Sequence, residues 1–251
     1  MNRFITRLKE AASNEQPMGF RKAASRVKGR MALIADLSHM EKAEGITEYI
    51  EGADALICPS LKFTENLPAE VREIPRGIRL GNRDETAGSE NEVDFVLLPL
   101  ESPVTAVPDS KETGKVLELG INISEGPLKA VNLMPVDAVM VAAESKDGFL
   151  TWYELVHLRR ISSLLSLPLL FEVDRGISAA ELKAVWEAGV DGAVLKPRPD
   201  GAKDTVKILR EAVAGFPARS QGHRSKGDVF VRYPGEKTEE AAEIEEEEEF
   251  E

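Results

Sequence analysis

The sequence predicts an α/β fold in which eight parallel strands alternate with helices and close as a (β/α)8 TIM barrel. Three observations lead there: eight short apolar runs along the 251 residues, amphipathic helical segments between several of them, and internal repeats in step with the runs. The runs lie at 31–36, 55–58, 74–80, 95–100, 116–121, 138–143, 169–173 and 193–196. Most are continuously apolar rather than alternating, as strands covered by helices on a parallel sheet must be. The third is the weakest, because Pro75 and Gly77 fall inside it.

Helical periodicity is plain in four connections. Residues 41–51 align Ile46, Tyr49 and Ile50; residues 151–166 align Trp152, Leu155, Val156, Ile161, Leu164 and Leu165 as an apolar face. Residues 178–188 bring Leu182, Val185 and Trp186 together. There Ser178 and Glu181 have capping-box spacing, and Gly189 is the stop. Residues 201–214 align Val206, Leu209 and Val213. Pro68, Pro103, Pro108, Pro127 and Pro135 interrupt the other connections, so the helices of the first half are expected to be short or irregular. The repeats tie the halves together. Val93-Asp94 opens a segment like that opened by Val136-Asp137, and Gly52-Ala53-Asp54 one like that opened by Gly189-Val190-Asp191. All four Asp residues precede even-numbered strands, where capping or salt-bridging at the helix-to-strand turn is their expected role. The alternative fold is an open doubly wound parallel sheet. It calls for a glycine fingerprint after the first strand, where Asp36-Leu37-Ser38-His39 stands instead.

Charge divides the chain. A basic N-terminal segment, 1–30, carries eight Lys/Arg against two Glu; an acidic tail, 236–251, carries ten Glu against one Lys. Between them come the barrel, 31–215, and a basic loop or docking segment, 216–235. The tail's run of like charge is expected to stay disordered. Residues 3–12 form an amphipathic turn set, read as a short helix docked on the domain. The net charge of −12 makes nucleic acid an unlikely partner. No apolar stretch reaches the length of a membrane span, and the N-terminus lacks the apolar core of a secretory signal. With a single cysteine, Cys58, the expected location is cytoplasmic. Oligomeric state is left open.

Leu170-Phe171-Glu172-Val173-Asp174-Arg175-Gly176-Ile177, followed by Glu187-Ala188-Gly189-Val190-Asp191-Gly192-Ala193-Val194, resembles the last quarter of the phosphate-binding (β/α)8 barrels, thiamin-phosphate synthase and indole-glycerol-phosphate synthase among them. The resemblance covers about 30 residues. It implies a phosphate cradle at the turns after strands seven and eight. Two departures stand out. Asp174-Arg175-Gly176 replaces the family's glycine pair, and Lys196-Pro197 replaces a small residue with a free N–H, which proline lacks. Arg175, Lys196 and Arg198 can instead hold an anion by charge.

In a barrel, chemistry gathers at the C-terminal ends of the strands. Those ends were placed at Asp36, Cys58, Ser60, Asn82, Glu101, Asn122, Glu144, Glu172, Asp174, Lys196 and Arg198. Glu101 and Glu144 hold repeat-equivalent positions and are candidates for proton transfer, together with Lys196 as a catalytic candidate. Asp36, Glu172, Asp174, Arg175, Gly176 and Arg198 are candidates for ligand binding. Asp36 and Glu172 with the other carboxylates could also chelate a hard cation such as Mg²⁺. Lys196 ends an apolar strand, and three roles are open to it: anion clamp, ion pair with Glu172 or Asp174, or imine-forming lysine. Two functions follow. One is a lyase, isomerase or synthase acting on a phosphorylated or carboxylated metabolite. The other is a catalytically degenerate barrel that binds or scaffolds through its charged ends.

Overall fold

The computed structural model describes residues 2–12, 31–41, 45–81, 93–106, 112–143, 149–173, 176–197 and 204–216. Eight parallel strands form a closed barrel, each hydrogen-bonded to its sequence neighbours and β8 to β1. They are β1 (Ala32–Asp36), β2 (Ala55–Cys58), β3 (Arg76–Arg79), β4 (Phe95–Pro99), β5 (Gly114–Leu119), β6 (Ala138–Ala142), β7 (Leu169–Val173) and β8 (Gly192–Leu195). The α-helices are α1 (Arg3–Ala12), α2 (Thr47–Ile50), α3 (Leu61–Glu65), α4 (Glu125–Val131), α5 (Trp152–Leu164), α6 (Ala179–Glu187) and α7 (Thr205–Ala214). Closure rules out the open-sheet alternative. The helix expected over 41–51 is reduced to the four residues of α2, because Gly45, with φ of 72°, breaks the chain just before it. The proline-interrupted connections are short as expected, α3 having five residues and β4 being followed, among the described residues, by one 3-10 turn at Val104–Ala106.

Side chains alternate between two apolar regions. The larger lies between the strands and the outer helices. The smaller fills the barrel, with Ile34, Ile57, Leu97, Val116, Met140, Leu170 and Val194 pointing inward. Small residues set its width. At Gly77 a β-carbon would stand 2.3 Å from the Phe95 ring, so only glycine leaves that ring its place at the centre. Phe95 stacks on Phe4 with ring centroids 4.0 Å apart. The amphipathic segment is therefore a docked helix: α1 buries Phe4, Ile5 and Leu8 against the inward side chains at the N-terminal ends of the strands. Burying three large apolar side chains contributes roughly 1.5–3 kcal/mol each. Asn2 caps the helix, its Oδ1 accepting from Phe4 and Ile5 N–H, and Arg7 donates to the Asp54 carbonyl at 3.0 Å.

The four repeated Asp residues do one job. Each brackets a residue at the start of the preceding strand, accepting that residue's N–H with its carboxylate and donating its own N–H to that residue's carbonyl. The carboxylate bonds are Asp54 to Leu33 (2.8 Å), Asp94 to Arg76 (2.9 Å), Asp137 to Lys115 (2.9 Å) and Asp191 to Leu169 (2.8 Å). The return bonds are 2.7–2.8 Å. The repeat thus staples strands in pairs at the bottom of the barrel. Its glycines also have a reason. Gly52 and Gly189 adopt φ of 91° and 106°, and a β-carbon on Gly189 would stand 2.3 Å from Ser162 Oγ. Gly189 ends α6 as expected, and the Ser178–Glu181 capping box is present.

One expectation on α5 is corrected. Trp152 and Val156 are 83% and 63% exposed rather than part of the apolar face. The buried stripe is Glu154, Leu158, Ile161 and Ser162 instead, and Glu154 is occupied in a capping box with Thr151. The stripe is rotated because the barrel dictates which side of the helix faces inward.

Candidate active site

Above the apolar interior the next inward positions are charged. Parity along the odd strands places Asp36 (β1), Arg79 (β3), Glu118 (β5) and Glu172 (β7) in one layer at the C-terminal end. Lys196, just past β8, projects from the next. Arg79 is the hub. Its Nε meets Glu118 Oε1 at 2.6 Å, its Nη2 meets Glu172 Oε2 at 2.5 Å, and its Nη1 lies 3.8 Å from Asp36 Oδ2. Lys196 Nζ holds the other oxygen of Glu172 at 2.7 Å. Side-chain exposure runs from 0% for Asp36 and 7% for Glu172 to 20% for Glu118, 22% for Lys196 and 29% for Arg79. The ring therefore has a sealed base and an accessible rim.

These environments move two groups. Burial pushes the Glu118 carboxyl above its ordinary value; Arg79 pulls the other way, and Glu172 and Asp36 add to the rise. For Arg79, burial disfavours the charge, but Glu172, Glu118 and Asp36 outweigh it and raise its value, so the guanidinium stays ionised. With every member ionised the ring carries three negative and two positive charges. Burial therefore favours a proton on Glu118.

Of the residues singled out from sequence, Asp36, Glu172 and Lys196 are brought together. Lys196 is ion-paired with Glu172, the second of its three expected roles. Glu101 stands exposed in the turn after β4 and shares no ion pair with the ring. Gly176 is exposed just before α6. Asn82, Glu144, Asp174, Arg175 and Arg198 lie outside the described residues, as do 217–235 and the acidic tail. Cys58 faces the outer apolar region and its thiol is pushed up to about 12 by burial, so it is a packing residue rather than a nucleophile. Ser60 caps α3, and Asn122 accepts from the Tyr153 hydroxyl at 2.5 Å. His39 reaches the end of β8 and bonds the Pro197 carbonyl. The Mg²⁺ expectation does not fit the ring, because Arg79 already occupies the carboxylates. Among the described residues no group of three or more His, Cys, Asp or Glu is placed to hold a metal ion.

Sequence reading missed Arg79 and Glu118. It ran strands three and five one to two residues too far, to Leu80 and Ile121, and looked for their tops at Asn82 and Asn122. The usable signal was parity: each is a lone charge two positions beyond an inward small or apolar residue, as Asp36 is beyond Ile34.

Three solved structures with this architecture carry phosphate in their names. Thiamine phosphate pyrophosphorylase from Pyrococcus furiosus superposes with a TM-score of 0.55 at 17% identity, over 76% of this chain and 100% of its own. The chain shares their fold. Orotidine 5'-phosphate decarboxylase from Pyrococcus horikoshii follows at 0.54 and 11%, over 73% of this chain and 100% of that one. For 3-keto-L-gulonate-6-phosphate decarboxylase from Vibrio cholerae the values are 0.55 and 15%, over 74% and 98%. The resemblance read from the last quarter of the barrel thus extends to the whole barrel, as a likeness of fold. No family model matches the chain, and no curated protein matches it. No described helix is long and apolar enough to cross a membrane.

Proposed function

We propose that this barrel binds a small phosphorylated or carboxylated metabolite at the C-terminal ends of its strands and acts on it by carboxylate acid/base chemistry, as a lyase, isomerase or synthase. One observation carries the reading: five ionisable side chains from β1, β3, β5, β7 and the end of β8 converge on one solvent-reaching ring above a dry barrel. A stable apolar interior gains nothing from such a layer, since buried ion pairs rarely repay their desolvation. Glu118 and Glu172 divide the proton-transfer roles. Glu118, with its carboxyl pushed up by burial, is the acid; Glu172, held between Arg79 and Lys196, is its partner across the ring. Lys196, one level nearer the mouth than Arg79, supplies the positive charge that draws an anion, with Arg198 two positions on in sequence and Arg175 just past β7. Glu101, exposed after β4, and Glu144, its counterpart in the sequence repeat, remain proton-transfer candidates. The phosphorylated compounds in the names of three similar barrels support the anionic ligand.

A second reading, a catalytically degenerate barrel that scaffolds through its charged ends in the cytoplasm, is favoured by one feature. Pro197 has no N–H to offer a phosphate, and its carbonyl is engaged by His39. Thermal shift separates the two. A ligand at one hundred times its Kd adds about 2.7 kcal/mol. For a barrel of this size that is roughly 5–10 °C. Phosphate esters or small carboxylates are expected to raise Tm by that amount, and Lys196→Ala to abolish the rise. If no anion moves Tm and the variant behaves as wild type, the scaffold reading replaces the first. A pull-down that loses its partners on deletion of residues 236–251 would then support it.

A further inference from the structure

One oxygen in the ring is left over. Asp36 Oδ1 accepts the Ser38 N–H at 2.9 Å. Asp36 Oδ2 is sealed from solvent and has no hydrogen-bond partner among the described residues. The closest cation, Arg79 Nη1, stands 3.8 Å away, beyond hydrogen-bonding distance. Arg79 is kept from closing the gap because Nε and Nη2 are held at 2.6 and 2.5 Å by Glu118 and Glu172. Buried charged acceptors are seldom left without a donor. A gap of this width between a charged donor and a charged acceptor suits a third atom bonded to both.

The chemistry of that atom is restricted. A phosphate or carboxylate oxygen only accepts, and would meet Asp36 as a like charge. An ammonium only donates, and would meet Arg79 as a like charge. A hydroxyl does both, donating to Asp36 Oδ2 and accepting from Arg79 Nη1. An oxygen about 2.8 Å from two atoms so separated subtends roughly a right angle, which a hydroxyl oxygen accommodates. The ring's net negative charge keeps an anionic group away from this level. A ligand carrying both groups therefore enters hydroxyl first, with its anion toward the rim. Arg79, the most exposed of the ring carboxylates' partners, is the side chain that yields as it enters.

We infer that Asp36 and Arg79 form a hydroxyl-binding subsite at the base of the site, so that its ligand is a hydroxylated anion rather than a simple one. The inference rests on the metabolite-binding reading above and narrows its substrate class. Titration calorimetry on the full chain tests it, with glycerol 3-phosphate and ribose 5-phosphate against propyl and pentyl phosphate. The hydroxylated esters are expected to bind about tenfold or more tighter than alkyl esters of the same length. Asp36→Ala is expected to reduce that preference, read as the ratio of the two sets' Kd within the variant, to about twofold or less. Asp36→Leu, which is close in shape and has no acceptor oxygen, gives the same readout if the alanine variant fails to fold. Equal binding of both sets to the wild-type chain, or a preference that survives in both variants, overturns the subsite while leaving anion binding intact. Binding of neither set overturns the subsite and the metabolite-binding reading together.

Discussion

Replacing Arg79 by Met keeps most of its stem and removes the one charge that three carboxylates share. Asp36 and Glu172 are buried and Glu118 is 20% exposed, so after the change the cation left facing them among the described residues is Lys196, through Glu172. Breaking a buried pair by removing one partner costs about 3–5 kcal/mol, because the other charge is stranded. Arg79 is itself 29% exposed, which places the cost at about 3 kcal/mol, the lower end of that range. At roughly 2–4 °C per kcal/mol, Tm falls by about 6–12 °C. The loss depends on pH in a fixed direction. Without Arg79, which holds it down, the Glu118 carboxyl already raised by burial rises further above its unfolded value of about 4.3. The folded variant then binds more protons than its unfolded chain. Its stability is greatest below the unfolded pKa and is lost as pH rises through the folded one. Urea melts followed by the emission of Trp186, which is buried, measure this at pH 8 and pH 4.5. The wild-type-minus-variant difference is expected to shrink by at least half at the lower pH. A difference of similar size at both values would mean that Arg79 acts through the packing of its stem, and the electrostatic reasoning would be refuted.

Two further outcomes follow from the scaffold. Asp191→Ala strips the acceptor from the Leu169 N–H in a fully buried bracket and should cost about 1–3 kcal/mol, whereas Asp191→Asn, which keeps an acceptor oxygen, should cost less; chemical denaturation of the two variants reads the ordering, and equal losses would show that the hydrogen bond is not the cause. Cys58, with its thiol at about 12, should present about one thiolate in ten thousand at pH 8, so iodoacetamide should label it only after unfolding; rapid labelling of the native chain would contradict its burial.

The barrel was legible because its signals are local. Continuous apolar runs mark strands covered on both faces, and the recurring Asp after Ala53, Val93, Val136 and Val190 marks the turns that enter even strands. The capping box at Ser178 and Glu181 needs only three residues of spacing. Where local signals ran out, the reading slipped. Trp152 and Val156 fit an apolar stripe by period, yet the side of α5 that faces inward is chosen by the sheet it packs on. The Asp repeat was readable as a structural feature, but its pairing with the N–H of a residue 18–22 positions earlier was not. Asp36, Glu172 and Lys196 were found as charges ending apolar strands. Arg79 and Glu118 were missed because the ends of their strands were set one to two residues late.

From the chain alone come the strand count, the parallel order, the short first-half connections and the carboxylates at strand tops. These depend on periodicity and turn chemistry within windows of a few residues. Only the closed barrel decides that Arg79 meets Glu118 across 39 residues and Glu172 across 93, and that Asp36 keeps an oxygen to spare. The reason is geometric: closing the sheet with a fixed stagger brings one inward position from every second strand to a common level. That level is set by strand register and not by anything a linear pattern records.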